Sequence, residues 1–420
     1  MRKCKLGDLF EIKQGYAFKS EKYQLAGKYV LCTLGNISAD NNFKCDLSKA
    51  NYYPDEFSHT FILEEGDLII PLTEQAVGLF GNTAFVPPTN GFQFVLNQRV
   101  GKVIPKKDVA DKYYLHYLLS TELVRNQIEA TATGTSQRNT SPEKIYDVTV
   151  WVPDIEQQRK IGKTLFDLER KVNINKLIND NLQQQLKLMY DYWFTQFDFP
   201  NEDGCPYRSS GGQMVSANGV AYPIPADWQV ETVFKNRLSS IIKPGVTPFA
   251  SKTYLATAEV NGTSISTGNT VDFETRESRA NMQPTENSVW FAKMKKSIKH
   301  LNLNPAMKPL IEESILSTGF CGLQCSEYSF EYIASFIEHS YFETLKDTLA
   351  HGATQEAVNN DDLAGIVLVI PPDEVLRLYH ERTKGIYTQM SKNICENQEL
   401  IRLRDWLLPM LMNGQATVSN

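Results

Sequence analysis

The sequence predicts an α+β protein: two similar mixed α/β domains separated by two long helices packed as an antiparallel coiled coil, with a pseudo-two-fold internal repeat. Three observations predict it. An order of chemical types recurs 218 residues apart, two stretches carry long helical seams, and a Gly-rich break divides the copies. The 420 residues give room for two to three domains at roughly 150 residues each. With 42% hydrophobic and 22% charged residues, the chain is not wholesale disordered.

The first domain is assigned to residues 1–153. It opens with a β-rich stretch punctuated by Gly, Asn, Thr and aromatic residues. A short helix beginning near Tyr114-Leu115 follows, then the loop Gly134-Thr-Ser-Gln137 and an alternating apolar run that ends at Pro153. The second domain, residues 228–371, ends in the same way, with Gly352-Ala-Thr-Gln355 leading through an alternating run to Pro371. The shift also aligns Tyr114-Leu115 with Tyr332-Ile333, and with small gaps Leu6–Phe10 matches Val230–Phe234.

Residues 154–197 form the central spacer helix of this reading. Ile161, Leu165, Leu168, Val172, Leu182, Leu186, Met189 and Trp193 keep alternating steps of four and three, and the same steps carry Asn175 and Asn179. Residues 198–227 read as a linker rich in Gly, Ser and Asn. A C-terminal spacer helix over 372–413 continues the pattern at Tyr379, Thr383, Ile386, Met390, Asn393, Asn397, Leu400, Arg404 and Leu407, and Pro409 is expected to kink or end it. Residues 414–420 are a tail. Paired antiparallel, the helices bring Asn175 toward Asn397 and Asn179 toward Asn393. Polar residues in such a seam weaken it but fix its register. The alternative is that each helix packs on its own domain and the asparagines are incidental.

The longest apolar run, Ile366–Ile370, is five residues, against the roughly 18 needed for a membrane helix. The first ten residues are polar and basic, unlike a secretory signal. A soluble, cytoplasmic protein with no membrane partner is expected. The seven cysteines are irregularly spaced and fit reduced thiols, with no metal site expected. No catalytic constellation is present. Phosphate-loop and dinucleotide glycine motifs are missing, His380-Glu381 has Lys384 where a zinc protease needs a second His, and Asn304-Pro305-Ala306-Met307 lacks the second Pro and aromatic residue of an amino-methyltransferase motif. Neither Ser136 nor Ser264 lies in a G-x-S-x-G turn. This moves weight from catalysis to binding.

The net charge of −6 leaves room for local basic patches. Residues 1–28 carry seven Lys/Arg against three acids, and residues 293–308 carry five lysines and no acid. Lysines suit phosphates, whereas amides and guanidinium groups make the bidentate bonds that read bases. In the first domain the candidate readers are Gln14, Tyr16, Gln75, Gln98, Arg99 and the loop Gln137-Arg138-Asn139, with Asn36 of the same type and Lys13 and Lys19 on phosphates. The second domain offers Gln355, with Lys293, Lys295, Lys296 and Lys299 mainly on phosphates. A solvated lysine surface, and a structural turn at each Gly-x-x-Gln loop, are the plainer alternatives.

These residues carry a resemblance. The loop running through Val150-Trp-Val-Pro153 into Ile155-Glu-Gln-Gln-Arg-Lys-Ile161, the long helix after it, and the opening Leu6-Gly-Asp-Leu-Phe-Glu-Ile-Lys-Gln-Gly15 resemble the specificity subunit of type I restriction–modification enzymes. The stretch from Phe199 to Val215, followed by Ile224-Pro-Ala-Asp-Trp228, is similar to that family's connection into its second half. The second copy departs from the first, reading Pro371-Pro-Asp-Glu374 without the Glu-Gln-Gln.

The resemblance implies a non-catalytic subunit with two target recognition domains, each reading half of a split double-stranded DNA target. It also implies two methyltransferase subunits that flip an adenine out of the duplex, and two restriction subunits in the full complex. S-adenosylmethionine, ATP and magnesium would belong to those partners, with no cofactor in this chain. Phe166, Ile174, Ile178, Leu188 and Tyr192, outside the seam, would be covered by the methyltransferase subunits. Two rivals stand beside this reading: a recognition subunit of a related modification system without a translocating nuclease, and a coiled-coil adaptor that binds no DNA.

Overall fold

The computed structural model describes every residue except 75–77, 135–136, 263 and 419–420. It divides into two compact units, Met1–Glu169 with Leu403–Asn420, and Arg170–Arg402, each of mixed α+β content. The division falls inside both long helices.

In the first unit, the strands Phe10–Gln14, Val100–Pro105, Leu68–Pro71 and Ala84–Phe85 form an antiparallel sheet in that spatial order. Leu68–Pro71 is buried on both faces. Successive side chains of a strand point to opposite sides, so Leu68 and Ile70 enter one hydrophobic cluster and Ile69 another. A second sheet pairs Tyr29–Cys32 in parallel with Gln93–Leu96. The helices Lys112–Ser120 and Glu122–Thr131 pack on the first cluster. Asp111 opens the earlier helix by accepting from the N–H groups of Tyr113 and Tyr114, which would otherwise lack partners. The run Thr149–Val152 pairs antiparallel with Arg2–Lys5.

The second unit has a sheet of the same connectivity: Ser239–Ile241, Phe320–Cys325, Ser288–Ala292 and His300–Leu303. Its middle strand again feeds two clusters, Val289 and Phe291 entering one and Trp290 and Ala292 the other. Lys252–Leu255 pairs in parallel with Ser314–Ser317, the helices Phe330–Glu338 and Ser340–Leu349 follow, and Val367–Ile370 pairs with Gln229–Thr232. Residues 198–227, read from sequence as a linker, are ordered. Phe197, Phe199 and Trp228 are buried together, Tyr207 stacks on Phe199, and Met214–Val215 pairs with Ile224–Pro225. The Gly and Ser content hid these spaced aromatic anchors.

The first long helix is α-helical over Ile155–Tyr190 and then widens into a π-turn over Asp191–Thr195, which sets Trp193 and Phe194 in the core. The C-terminal helix, Asp373–Met412, passes through Pro409. Proline removes one hydrogen bond from the turn before it, and that loss falls in the last helical turn, where the ladder is already ending. In the second unit, Asn175 Nδ2 donates to Asn397 Oδ1 (2.9 Å) and Glu396 Oε2 (2.7 Å), and Asn393 Nδ2 donates to Asn179 Oδ1 (2.7 Å). The remaining amide hydrogens reach backbone carbonyls, Asn179 to Met390 and Asn397 to Val172. As one segment advances from 175 to 179 its partner retreats from 397 to 393, so the two run in opposite directions.

Candidate nucleic-acid interface

In the first unit, four strand ends meet through their backbones. Tyr16 N–H donates to Leu96 O (2.9 Å), and Gln98 N–H donates to Tyr16 O (3.0 Å). Leu72 N–H donates to Arg99 O (2.9 Å), Thr140 N–H donates to Leu72 O (3.0 Å), and Arg138 and Asn139 pair with Glu74 and Thr73. Gln14, Tyr16, Gln98, Arg99 and the 137–139 loop, scattered in sequence, therefore lie along one edge. A cavity of about 350 Å³ opens on it, lined by Gln98 and Arg99 together with Tyr23, Thr33, Leu34, Gly35 and Asn97. The sequence reading missed Tyr23 and Thr33, which lack any repeat or motif to mark them. Asn97 shapes the turn by accepting from Arg99 N–H at 3.3 Å.

The side chains differ in how free they are. Gln14 and Gln98 are exposed, and Tyr16 shows 42% of its surface with its ring against Phe18 and Phe61. Lys19 is exposed and, among the described residues, has no ion-pair partner. Gln75 lies outside the described residues.

Three expectations change. The ammonium of Lys13 bonds to Thr60 O and lies over the Phe61 ring, so it is held within the unit rather than free for a phosphate. Asn36 accepts from Thr33 N–H and donates to Lys44 O, building its own turn. Arg138, expected on a base edge, gives Nη1 to Glu74 Oε1 (2.6 Å) and Nη2 to Glu129 O (2.9 Å). Glu74 is 1% exposed and accepts from the Leu79 and Phe80 N–H groups besides. A buried carboxylate needs such a partner. Beside it, Gln137 donates to Asn139 Oδ1 (3.3 Å) and Thr73 Oγ1 donates to the same oxygen (2.8 Å).

In the second unit the four lysines occupy the hairpin loop between Ser288–Ala292 and His300–Leu303, and Gln355 sits next to it. Lys295 N–H donates to Glu356 O (2.9 Å), and Val358 N–H donates to Lys293 O (3.0 Å). Lys295 Nζ pairs with Glu356 at 3.0 Å and Lys299 Nζ donates to Asn261 at 3.1 Å; among the described residues Lys293 and Lys296 have no ion-pair partner. The buried Lys346 braces the loop, donating to Ala292 O and Ser297 O and pairing with Glu343 at 2.6 Å. Burial pushes the Glu343 carboxyl up, but hydrogen bonds from His300 and Lys346 outweigh it and hold it below the usual carboxylate value. Gln355 is exposed.

On the first long helix, Ile174, Ile178, Leu188 and Tyr192 are exposed, as is Leu177. Phe166 is not available to a partner in the same way, because its ring packs on Tyr113 (4.3 Å) and Phe85 (5.3 Å). Among the described residues no group of three or more His, Cys, Asp or Glu is placed to hold a metal ion, and no helix is long and apolar enough to cross a membrane.

Each unit thus presents an edge that bears amides or lysines. Residues 1–184 match the family model described as the type I restriction modification DNA specificity domain. The chain is 22% identical to the type I restriction enzyme MjaIX specificity subunit of Methanocaldococcus jannaschii, over 77% of this chain and 73% of that one. It is 21% identical to the type I restriction enzyme HindI specificity subunit of Haemophilus influenzae, over 92% and 94%. Its fold is similar to the crystal structure of a type I restriction–modification system S subunit from M. genitalium, with a TM-score of 0.54 and 13% identity over 98% and 96% of the two chains. Residues 1–184 thus match a type I restriction modification DNA specificity domain, and the chain as a whole is similar to specificity subunits of type I restriction enzymes.

Proposed function

We propose that this chain selects the DNA target of a type I complex by reading a bipartite site, one half with the edge around Gln98, Arg99 and Gln137, the other with the edge around Gln355 and Lys293–Lys299. The observation that carries this reading is that each unit, taken by itself, sets a Gly-x-x-Gln loop beside a strand end on a sheet of the same order. A duplicated body suits a split target because B-DNA offers two half-sites to a reader with internal symmetry. The Asn175–Asn397 and Asn179–Asn393 bonds support an antiparallel coiled coil whose length fixes the spacing between the half-sites. They also support a local two-fold relation, since the partners exchange in reciprocal order.

In this reading the residues fall into two classes. Gln14, Tyr16, Gln98, Arg99, Gln137, Asn139 and Gln355 contact bases, whereas Lys19, Lys293, Lys296 and, in part, Lys295 and Lys299 contact phosphates. Two methyltransferase subunits dock on the exposed helix positions and bring S-adenosylmethionine; two restriction subunits bring ATP and magnesium. The test is to map methylated adenines in a host carrying the intact operon. Two short half-sites at a constant separation are expected. One contiguous target would overturn the bipartite reading.

A further inference from the structure

The two Gly-x-x-Gln loops are closed by the same set of bonds. Thr133 and Asn139 exchange backbone hydrogen bonds in the first unit, as His351 and Ala357 do in the second, each residue offset by 218. The neighbouring strand end follows at an offset of 221: Leu72 O accepts from Thr140, and Lys293 O accepts from Val358. Gly134 (φ +111°) and Gly352 (φ +141°) occupy left-handed backbone, where a Cβ would fall 2.2 and 2.4 Å from the carbonyl oxygens of Gln137 and Gln355. Only glycine fits either place.

On this common frame the cross-strand pair is Arg138 opposite Glu74 in one unit and Glu356 opposite Lys295 in the other. The positions correspond and the charges are exchanged. Each pair joins the residue just after the glutamine to the neighbouring strand end. We infer that these are equivalent, charge-swapped latches: Arg138–Glu74 and Glu356–Lys295 are positioning residues that hold Gln137 and Gln355 in place for base reading. The inference rests on the DNA-reading function proposed above.

The latches differ in strength. In the first, Glu74 is 1% exposed, so release leaves a buried carboxylate short of its partner. In the second, the side chains are 32% and 50% exposed, where water screens the pair.

The test uses the assembled complex and methylation of duplexes altered in one half-site at a time. Lys295→Glu and Glu356→Lys each should lower methylation of the cognate duplex about tenfold and relax discrimination only in the second half-site, while the combined swap restores the discrimination. Arg138→Gln should relax only the first half-site, with Arg138→Lys retaining more discrimination. Thermal melts of each variant identify any that fail to fold, and the exposed Lys295–Glu356 swap keeps the test decisive if Arg138→Gln does. If the combined swap is no better than either single change, or if the single changes leave discrimination intact, the latch is overturned. A parent complex that ignores half-site changes altogether would instead overturn the bipartite reading itself.

Discussion

Burial acts on three carboxylates of the second unit with different outcomes. It raises Glu331 above the usual carboxylate value, with His380 offsetting only part, and it raises Glu338 despite His300, Asn302 and Gln183. At Glu343 the same penalty is outweighed by His300 and Lys346, so that carboxyl ends low. The signs have separate consequences. A carboxyl raised on folding contributes stability that is full below its unfolded value, about 4.3, and is lost as pH rises through the folded value. A lowered one contributes above the unfolded value and loses it as pH falls through the folded value. Glu338→Gln keeps an acceptor for the Asn302 amide, which lies at 2.5 Å, and removes the cost of ionising the site. Its melting temperature should exceed the parent's near pH ~7, with the gap closing toward pH ~4. Melts across that range check this; a melting temperature below the parent's near pH ~7 that recovers toward pH ~4 would show instead that the ionised carboxylate stabilises the fold.

At the scale of elements, the amide pairs between the helices are the seam's most constrained part. Asn179 is fully buried and Asn393 is 4% exposed. Asn393→Ala strands the Asn179 oxygen and should cost about 1–3 kcal/mol, because a buried acceptor without a donor pays its full desolvation. Asn179→Leu with Asn393→Leu removes both polar groups and should recover much of that loss. Denaturant titrations of the single and double variants give the coupling, and purely additive losses would mean that the amides do not act together. This pairing was legible because heptad steps run through the polar gap without a break. The sheet edge was partly legible too, since Gln98 and Arg99, picked out as residue types able to bond base edges, lie together beside one cavity. Arg138 was misjudged because Glu74, 64 residues away, becomes its neighbour only through strand pairing. The second pair was invisible to comparison by identity, which sees Arg138 against Glu356 as a mismatch although each faces an opposite charge across the strands. Lys13 failed for the same reason: the Thr60 carbonyl and Phe61 ring that hold it are tertiary neighbours.

For the molecule as a whole, the acidic net charge and the exposed apolar stripe belong to one account. In the proposed reading, a chain at −6 would meet DNA where loops gather lysines and amides, so its association with partner subunits would come from surfaces of another kind. Ile174, Leu177, Ile178, Leu188 and Tyr192 supply one, exposed between 40% and 70% and lying about 110° around the helix from the seam at 3.6 residues per turn. Leaving so many large apolar groups in water along one stripe favours a protein partner, and the proposed occupant is a methyltransferase subunit. Leu177→Asp with Leu188→Asp should leave the melting temperature of the free chain nearly unchanged, because these side chains are 62% and 70% exposed and carry little of the core. The same double change should sharply reduce recovery of a complex with the co-expressed methyltransferase subunit on size exclusion, since two charges would have to be desolvated in the joint. Val172→Asp separates the two effects: at 6% exposure it should unfold the seam and lower the melting temperature directly. An undiminished complex with the stripe variant would place the partner on another face of the chain.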